Sequence, residues 1–413
     1  MRNVGGAMEG GLTATMRDFD LLEERHMRPS AAVRGTLRAL ALAATLTSPA
    51  FAADPIKIGS VVSATGPAAF LGDPEARTLK LYVDALNKKG GLLGRPVELV
   101  LYDDGGDANK ARTFATRLIE DDKVVAMAGG TSTGSTMAMI PVFEEAKVPF
   151  VSFAGGIEIV EPVRAFVFKT PHTDKTACQK IFEDMKARGF TKIGMISGTD
   201  GFGKSMRGQC LKVVGDYGIT ILADESYGAA DSDTTPQLNK IKNTPGIQAV
   251  LNPGFGQGPA IVTRNYAQLG ITVPLYQSHG VASKSFITLA GPAAEGVRLP
   301  APALLVADKL AAGDRQKPVV AAYKDSYEAA TAQPISTFGG YAFDGIQLVV
   351  QAIEKAKSAD PQKIRDALEA TKDYVGVTGI YTMSPTDHLG LGTESFRMLQ
   401  IKNGDWVLET PGQ

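Results

Sequence analysis

The chain has 413 residues, of which 44% are hydrophobic and 21% are charged. This composition excludes an intrinsically disordered chain, and the length exceeds what one ordinary hydrophobic core accommodates, so we expect two lobes or domains. The formal net charge is −1 and no basic stripe stands out, which argues against nucleic acid as a partner.

The N-terminal segment is typical of a targeting signal rather than of a folded domain. After position 27, several arginines precede a short apolar run and the sequence Pro-Ala-Phe-Ala-Ala. This order predicts a signal peptide over 27–52, cut after Ala52, and therefore a periplasmic location. Residues 1–26 precede this start, and we interpret them as a mis-assigned extension, with a cytoplasmic extension as the alternative.

The rest of the chain alternates short β-branched runs with amphipathic helical patterns. Asp107 is predicted to cap one helix, and the pattern loosens at 298–303. The alternation predicts an α/β fold whose parallel sheets are covered by helices on both faces. Predicted strands lie at 56–62, 97–103, 124–128, 149–153, 192–197, 248–252 and 274–278, and further predicted helices at 78–87, 177–188, 319–331 and 343–356.

Cys178 and Cys210 are the only two cysteines, and they lie on consecutive predicted helices. An oxidising compartment permits a disulfide between them, but sequence spacing leaves open whether one forms. The sequence has no CxxC motif and its four histidines are scattered, so we expect no metal site and no cofactor.

Loops that follow parallel strands are the places to seek a binding site, because ligands lie beyond the carboxyl ends of such strands. The loop at 129–135 carries Thr131, Ser132 and Thr133 just ahead of a predicted helix. Small hydroxylated residues at a helix start expose backbone N–H groups and the positive end of the helix dipole, which suit a carboxylate. Ordinary capping and turn formation is the alternative reading of these loops.

Residues 130–134 also fit the G-x-S-x-G pattern of serine hydrolases. A nucleophilic Ser132 would need a buried acid and one of the downstream histidines, which are His172, His279 and His388. Nothing beyond the five residues supports catalysis, so we expect no enzyme and keep a hydrolase as a remote alternative.

A series of motifs runs through the chain in a recognisable order. Residues 89–104 read KGGLLGRPVELVLYDD, after IKIG at 56–59 and TGP at 65–67. This order resembles the branched-chain amino-acid (leucine-binding protein) family of periplasmic solute-binding proteins. Further matching segments lie at 131–136, 148–152, 168–170, 201–203, 293–296 and 360–368.

The resemblance implies a two-lobed type I periplasmic binding protein with three crossover hinge segments and closure by hinge bending. It implies an inner-membrane ABC permease as partner, and a monomer. Lobe 1 is expected to comprise 54–172 plus 303–382, and lobe 2 to comprise 173–302 plus 383–413.

The ligand class is where the sequence departs from the family's amino-acid binders. His279 corresponds to an acidic residue that pairs with the ligand's ammonium group in those relatives. An ammonium buried without its partner costs about 3–5 kcal/mol. Phe202 and Phe255 stand where tyrosines are usual, and Gly156 where a threonine is usual. An α-amino acid is therefore a poor guest.

We predict a small carboxylate as the ligand, favouring an aromatic acid such as a benzoate or a hydroxycinnamate, of the kind some relatives bind. His279 is expected to donate to a carboxylate or a ring hydroxyl, with a charge that depends on pH. The predicted ligand-binding residues are Phe70, Leu71, Thr131, Ser132, Thr133, Ala154, Gly155, Gly156, Phe202, Phe255 and His279.

Three alternatives stay open from the sequence. The phenylalanines could be lobe core, with Glu158 or Asp200 supplying an anion for an amino acid. An amide or urea could be the guest. The protein could also be a ligand sensor of the same fold.

Overall fold

The computed structural model describes residues 54–409, so the predicted extension and signal peptide lie outside the described residues. The first lobe is built on a five-stranded sheet in which every pairing is parallel. Its strands are β1 (Ile56–Val62), β2 (Val97–Asp103), β3 (Ala126–Gly129), β4 (Phe150–Ser152) and β5 (Val167–Lys169), in the spatial order β2-β1-β3-β4-β5.

The second lobe is built on a seven-stranded sheet. Its first five strands are β6 (Lys192–Gly198), β7 (Thr220–Tyr227), β8 (Ala249–Asn252), β9 (Leu275–Gln277) and β10 (Arg298–Pro302). A separate hairpin follows, formed by β11 (Tyr374–Val375) and β12 (Ile380–Tyr381), and then β13 (Phe396–Lys402) and β14 (Asp405–Leu408). The sheet order is β14-β13-β10-β9-β8-β6-β7, with β13 antiparallel to both of its neighbours.

Helices cover both faces of each sheet, as the alternation predicts, because strands buried on two faces need apolar cover on both. Buried residues of α1, α10 and α11 share one cluster with the first sheet, and those of α2 and α3 share another on its opposite face. The helices are α1 (Ala69–Lys88), α2 (Ala108–Glu120), α3 (Thr133–Ala146), α4 (Asp174–Ala187), α5 (Gly201–Val213), α6 (Thr235–Lys242), α7 (Gly258–Gln268), α8 (Lys284–Ala290), α9 (Lys317–Thr331), α10 (Thr337–Ala356) and α11 (Pro361–Glu369).

Several predicted elements have different bounds in the structure. Helix α1 begins at Ala69 instead of position 78. It contains Pro74, a residue type that usually marks the start or the end of a helix, and the helix continues past it. Phe70 and Leu71 are therefore helical rather than part of the loop after β1. Strands β1 and β2 and the Asp107 cap of α2 are confirmed.

The loosened pattern at 298–303 is a strand, β10, which contains Pro300 and Pro302. It pairs along its whole length with β13 but meets β9 only at Arg298. The prolines thus fall beyond the ladder with β9, where a missing N–H interrupts no pairing. Strands β5 and β7 also lie where no strand was predicted.

Cys178 on α4 and Cys210 on α5 form a disulfide, which answers the question that spacing left open. After β10 the chain returns to the first lobe with α9 to α11 and then to the second sheet with β13 and β14. The numerical lobe boundaries given above stay a prediction. Within 54–409, no helix has the length and apolarity needed to cross a bilayer.

Candidate functional site

A cleft lies between the two lobes at the carboxyl ends of the strands. The cavity has a volume of about 30 Å³, room for about two ordered waters, so a ring-sized guest enters only when the lobes part. Both lobes contribute to its walls. The lining residues are Leu71, Thr131, Ser132, Thr133, Phe153, Gly155, Pro171, Phe202, Phe255, His279, Gly280, Phe338 and Tyr341.

One wall is the N-terminus of α3. The Ser132 side chain caps this helix by accepting a hydrogen bond from the Ser135 N–H at 3.1 Å. The N–H groups of Thr133 and Gly134, the first two helical residues, have no hydrogen-bond acceptor within 54–409. Free N–H groups and the positive end of the helix dipole make this wall suited to an anion.

The Thr131 hydroxyl is already engaged, contrary to the expectation that it is free to hold a carboxylate. It donates to Glu75 Oε2 at 2.5 Å and accepts from the Ser63 N–H at 2.9 Å. Glu75 is fully buried on α1, and burial raises the pKa of its carboxyl well above the usual value. Thr131 therefore lines the cleft, but the proton of its hydroxyl is already donated to Glu75.

The opposite wall is aromatic and comes from the second lobe. Phe202 lies edge-on to Phe255, with ring centroids 6.1 Å apart, and edge-on to His279 at 5.3 Å. From the first lobe, Phe338 and Tyr341 on α10 complete an apolar cluster against which Phe255 also packs. The Tyr341 hydroxyl is buried and has no hydrogen-bond partner among the described residues.

His279 is neutral in this environment, which corrects the expectation of a charge that depends on pH. Burial, and then the nearby ammonium of Lys169, lower the pKa of His279 to about 3. Its Nδ1 has no hydrogen-bond partner in the part of the chain that the structure describes. While the cleft is closed, the imidazole therefore carries no charge between pH 5 and 8, and its Nδ1 is unpaired.

Three predicted site residues lie outside the cleft lining. Phe70 turns against Phe338, edge-on with centroids 5.7 Å apart. Ala154 is buried in the core of the first lobe. The Gly156 N–H donates to Thr133 Oγ1 at 3.1 Å and so supports the wall from behind. The other eight predicted residues are brought together in the cleft.

Neither of the alternative anions lines the cleft. Asp200 caps α5 by accepting from the Gly203 N–H at 3.0 Å, and Glu158 accepts from the Ser205 hydroxyl at 2.5 Å. No group of three or more possible ligating side chains suited to a metal occurs within 54–409.

Five lining residues were missed by sequence reasoning. Phe153 and Gly280 adjoin predicted site residues, so widening those loops by one position would have included them. Pro171 lies between β5 and α4. Phe338 and Tyr341 carry only the signal of a helix core face, and their place in the cleft follows from the packing of α10 against α1.

Comparison with known proteins gives one consistent result. The family described as "Periplasmic binding protein" matches residues 55–405. The chain is 27% identical, over 385 residues, to a leucine-, isoleucine-, valine-, threonine- and alanine-binding protein of Pseudomonas aeruginosa, and the alignment covers 91% of this chain and 96% of that protein.

Solved structures show the same two-lobed architecture. An extracellular ligand-binding receptor from Rhodopseudomonas palustris HaA2 superposes with a TM-score of 0.81 at 28% identity, covering 86% of this chain and 100% of the receptor. The branched-chain amino acid transporter substrate binding protein LivJ from Streptococcus pneumoniae, solved with isoleucine, has a TM-score of 0.76 at 24% identity, covering 86% of this chain and 100% of LivJ. The second similarity concerns the fold alone.

Proposed function

The chain belongs to the periplasmic binding protein family, and from that premise we propose that it captures a small aromatic carboxylate between its lobes and delivers it to an ABC permease. Members of the family bind solutes and do no chemistry on them, and they work in the periplasm. The Ser132 side chain accordingly serves as a helix cap, and the hydrolase reading has no further support. The signal peptide at 27–52 and the monomeric state stay predictions.

The observation that carries the ligand class is the make-up of the cleft walls. Among the thirteen lining residues there are five aromatic rings besides apolar and hydroxyl-bearing side chains, with His279 the only titratable nitrogen and no Asp, Glu, Lys or Arg. The five rings are those of Phe153, Phe202, Phe255, Phe338 and Tyr341. A flat apolar guest gains burial and about 0.5–1.5 kcal/mol for each aromatic contact.

The negative end of such a guest has a suitable place at the start of α3. The unpaired N–H groups of Thr133 and Gly134 lie at the positive end of the helix dipole. A carboxylate there gains charge-assisted hydrogen bonds, each worth about 1.5–3 kcal/mol when water is excluded. No basic side chain in the lining is needed to hold it.

An amino acid is the second candidate, because the Pseudomonas aeruginosa relative is named for binding leucine, isoleucine, valine, threonine and alanine. An ammonium in this cleft would need an anion. The buried carboxyl of Glu75 is bonded to the lining residue Thr131, and its raised pKa favours its neutral form. The walls therefore support the acid better than the amino acid.

A thermal-shift screen tests the proposal by comparing benzoate, hydroxybenzoates and hydroxycinnamates with leucine, isoleucine and valine. A guest at 100 times its dissociation constant stabilises the folded state by about 2.7 kcal/mol, which is a readily measured rise in Tm. We expect the rise with aromatic acids. Stabilisation by leucine or valine with none by the acids would refute the proposed ligand class.

A matched pair of ligands and one variant sharpen the test. Benzamide has the ring of benzoate without the charge, so it should stabilise the protein much less if the α3 terminus holds a carboxylate. The variant His279→Glu places a carboxylate in the cleft, and we expect it to lose the response to benzoate through like-charge repulsion. Equal responses to benzoate and benzamide would contradict the anion site.

A further inference from the structure

A cluster of polar side chains lies behind the cleft, where the chain crosses between the lobes. It consists of Glu158 in the short turn after β4, Lys169 at the end of β5, Asp174 at the start of α4 and Ser205 on α5, and we call it the hinge cluster. Lys169 is fully buried and donates to the carbonyl oxygens of Gly155 at 2.8 Å and Gly156 at 3.2 Å. The cluster thus supports the loop that lines the cleft.

Two carboxyl groups of the hinge cluster meet at one hydroxyl. Ser205 Oγ lies 2.5 Å from Glu158 Oε2 and also within hydrogen-bond distance of Asp174 Oδ2. A serine hydroxyl has one proton and can donate to only one of them. The second contact is a hydrogen bond only when one of the two carboxyl groups carries a proton.

The hydrogen bonds indicate which carboxyl carries it. Asp174 Oδ1 accepts from the backbone N–H groups of Ile157 at 3.2 Å and Lys175 at 2.8 Å, which leaves Oδ2 for a proton. A protonated Asp174 donates to Ser205 Oγ, and Ser205 then donates to Glu158. Every polar contact in this chain of bonds has one donor and one acceptor.

The surrounding charges agree with this arrangement. Burial raises the pKa of Asp174 to about 6, the Ser205 hydrogen bond and Lys169 oppose that rise, and Glu158 adds to it. Burial lowers the pKa of Lys169, while Asp174, Glu158 and Glu161 raise it. The other titratable and charged groups facing the cluster are His172 and His279, both with lowered pKa, and Arg164, whose guanidinium is bonded to the Glu158 and Ile159 carbonyl oxygens.

The Ser205 hydroxyl contacts both carboxyl groups only while the two lobes are in contact. Glu158 belongs to the first lobe, whereas Ser205 lies on α5 of the second. On the same rim the lobes are in backbone contact, since a Cβ placed on Gly201 would lie 3.2 Å from the Gly134 nitrogen. Opening the cleft separates Glu158 from Ser205 and returns water to Asp174.

We propose that the hinge cluster is a proton-binding site of the closed form, so that closing the cleft takes up one proton between Asp174 and Glu158. It rests on the proposed function only in that the cleft opens and closes. In the closed form below about pH 6 the proton lies on Asp174, and the open form releases it because the second carboxylate has moved away.

The sign of the pH effect follows from linkage. At Asp174 the closed form, with the raised pKa, binds more protons than the open form, so this site favours closure below about pH 6 and loses that effect as the pH rises. His279 acts in the opposite sense, because burial in the closed cleft lowers its pKa to about 3, so that its protonation favours the open form. With the open-form pKa near the ordinary value of about 3.9, Asp174 alone should raise the ratio of closed to open molecules about tenfold from pH 7 to pH 5, relative to a chain without this carboxyl.

The equilibrium can be measured without any guest, which separates this test from that of the ligand class. Fluorophores on cysteines introduced at the exposed positions Arg112 and Lys212 report the distance between the lobes, since both native cysteines are in the disulfide. Energy transfer is followed from pH 8 to pH 5. The closed-to-open ratio of the wild type, divided by that of Asp174→Asn at the same pH, should rise about tenfold from pH 7 to pH 5.

Three variants decide the outcome. Asp174→Asn supplies a permanent donor to Ser205 and should keep only the opposing response of His279, and Glu158→Gln removes the second carboxylate and should respond to pH as Asp174→Asn does. The matched control Asp216→Asn, at an exposed position of the second lobe, should titrate like the wild type. Equal pH responses of the wild type and of Asp174→Asn would overturn the proposal.

Discussion

Substituting Gly155 by alanine should block closure of the cleft without harming either lobe. Gly155 lies on the first lobe and faces Phe202 and His279 of the second. A Cβ at this position would lie 2.8 Å from Phe202 Cε2 and 3.0 Å from His279 Nε2, closer than side-chain packing allows. When the lobes are apart, the same methyl group meets neither ring.

The size of the effect follows from that overlap. Forcing an extra methyl group into a packed region costs about 1–3 kcal/mol. Because the cost falls on the closed form alone, it lowers guest affinity by about 5- to 150-fold, at 1.4 kcal/mol for each factor of ten. The free energy of unfolding of the guest-free protein should change little.

Isothermal titration calorimetry with an acid found in the screen measures the affinity, and urea unfolding measures the stability. Gly208→Ala is the matched control, since no atom lies within 4 Å of a Cβ at that helical position. It should leave affinity unchanged and add up to about 1 kcal/mol of stability. If Gly155→Ala bound the acid as tightly as the wild type, the close approach of the lobes at this loop would be wrong.

Three further expectations concern stability. The pKa of His279 is lowered to about 3 in the fold and is about 6.5 when unfolded, so acidification from pH 7 to pH 5 lowers the free energy of unfolding by about 2 kcal/mol through this residue. In urea unfolding, the stability of His279→Gln should fall by about 2 kcal/mol less than that of the wild type over this pH range. An equal fall would show that the histidine is charged in the fold. Ser132→Ala removes the acceptor of the Ser135 N–H and should cost about 1 kcal/mol in the same assay, whereas no change would mean that the cap is dispensable. Reducing the Cys178–Cys210 bond, which joins residues 32 apart, should lower the free energy of unfolding by about 3–4 kcal/mol, and identical urea curves with and without reductant would contradict this.

Local sequence patterns predicted much of the framework. The bounds of β1 and β2 follow from short runs rich in β-branched residues, and the Asp107 cap follows from its position ahead of an amphipathic stretch. The alternation of strands and helices was sufficient for the α/β class. Eight of eleven predicted site residues line one cleft, because loops after parallel strands end at the same edge of a sheet.

Interactions between distant residues decided the rest. Strand β10 contains two prolines and exists because β13, about a hundred residues later, pairs with it. In the sequence, Phe338 and Tyr341 have the pattern of an ordinary buried helix face. Only the packing of α10 against α1 places them in the lining of the cleft. The disulfide likewise depended on the approach of α4 to α5.

The contributions of the sequence and of the tertiary structure differ most clearly in the electrostatics of the site. From the sequence came the prediction, through the family resemblance alone, that His279 replaces an acidic residue and leaves an ammonium without a partner there, and this stays a prediction. Only the tertiary structure decided that this histidine is neutral, that Thr131 is held by Glu75, and that two carboxyls share one hydroxyl at the hinge. Protonation depends on desolvation and on neighbours brought close by folding, and neither is encoded in local sequence.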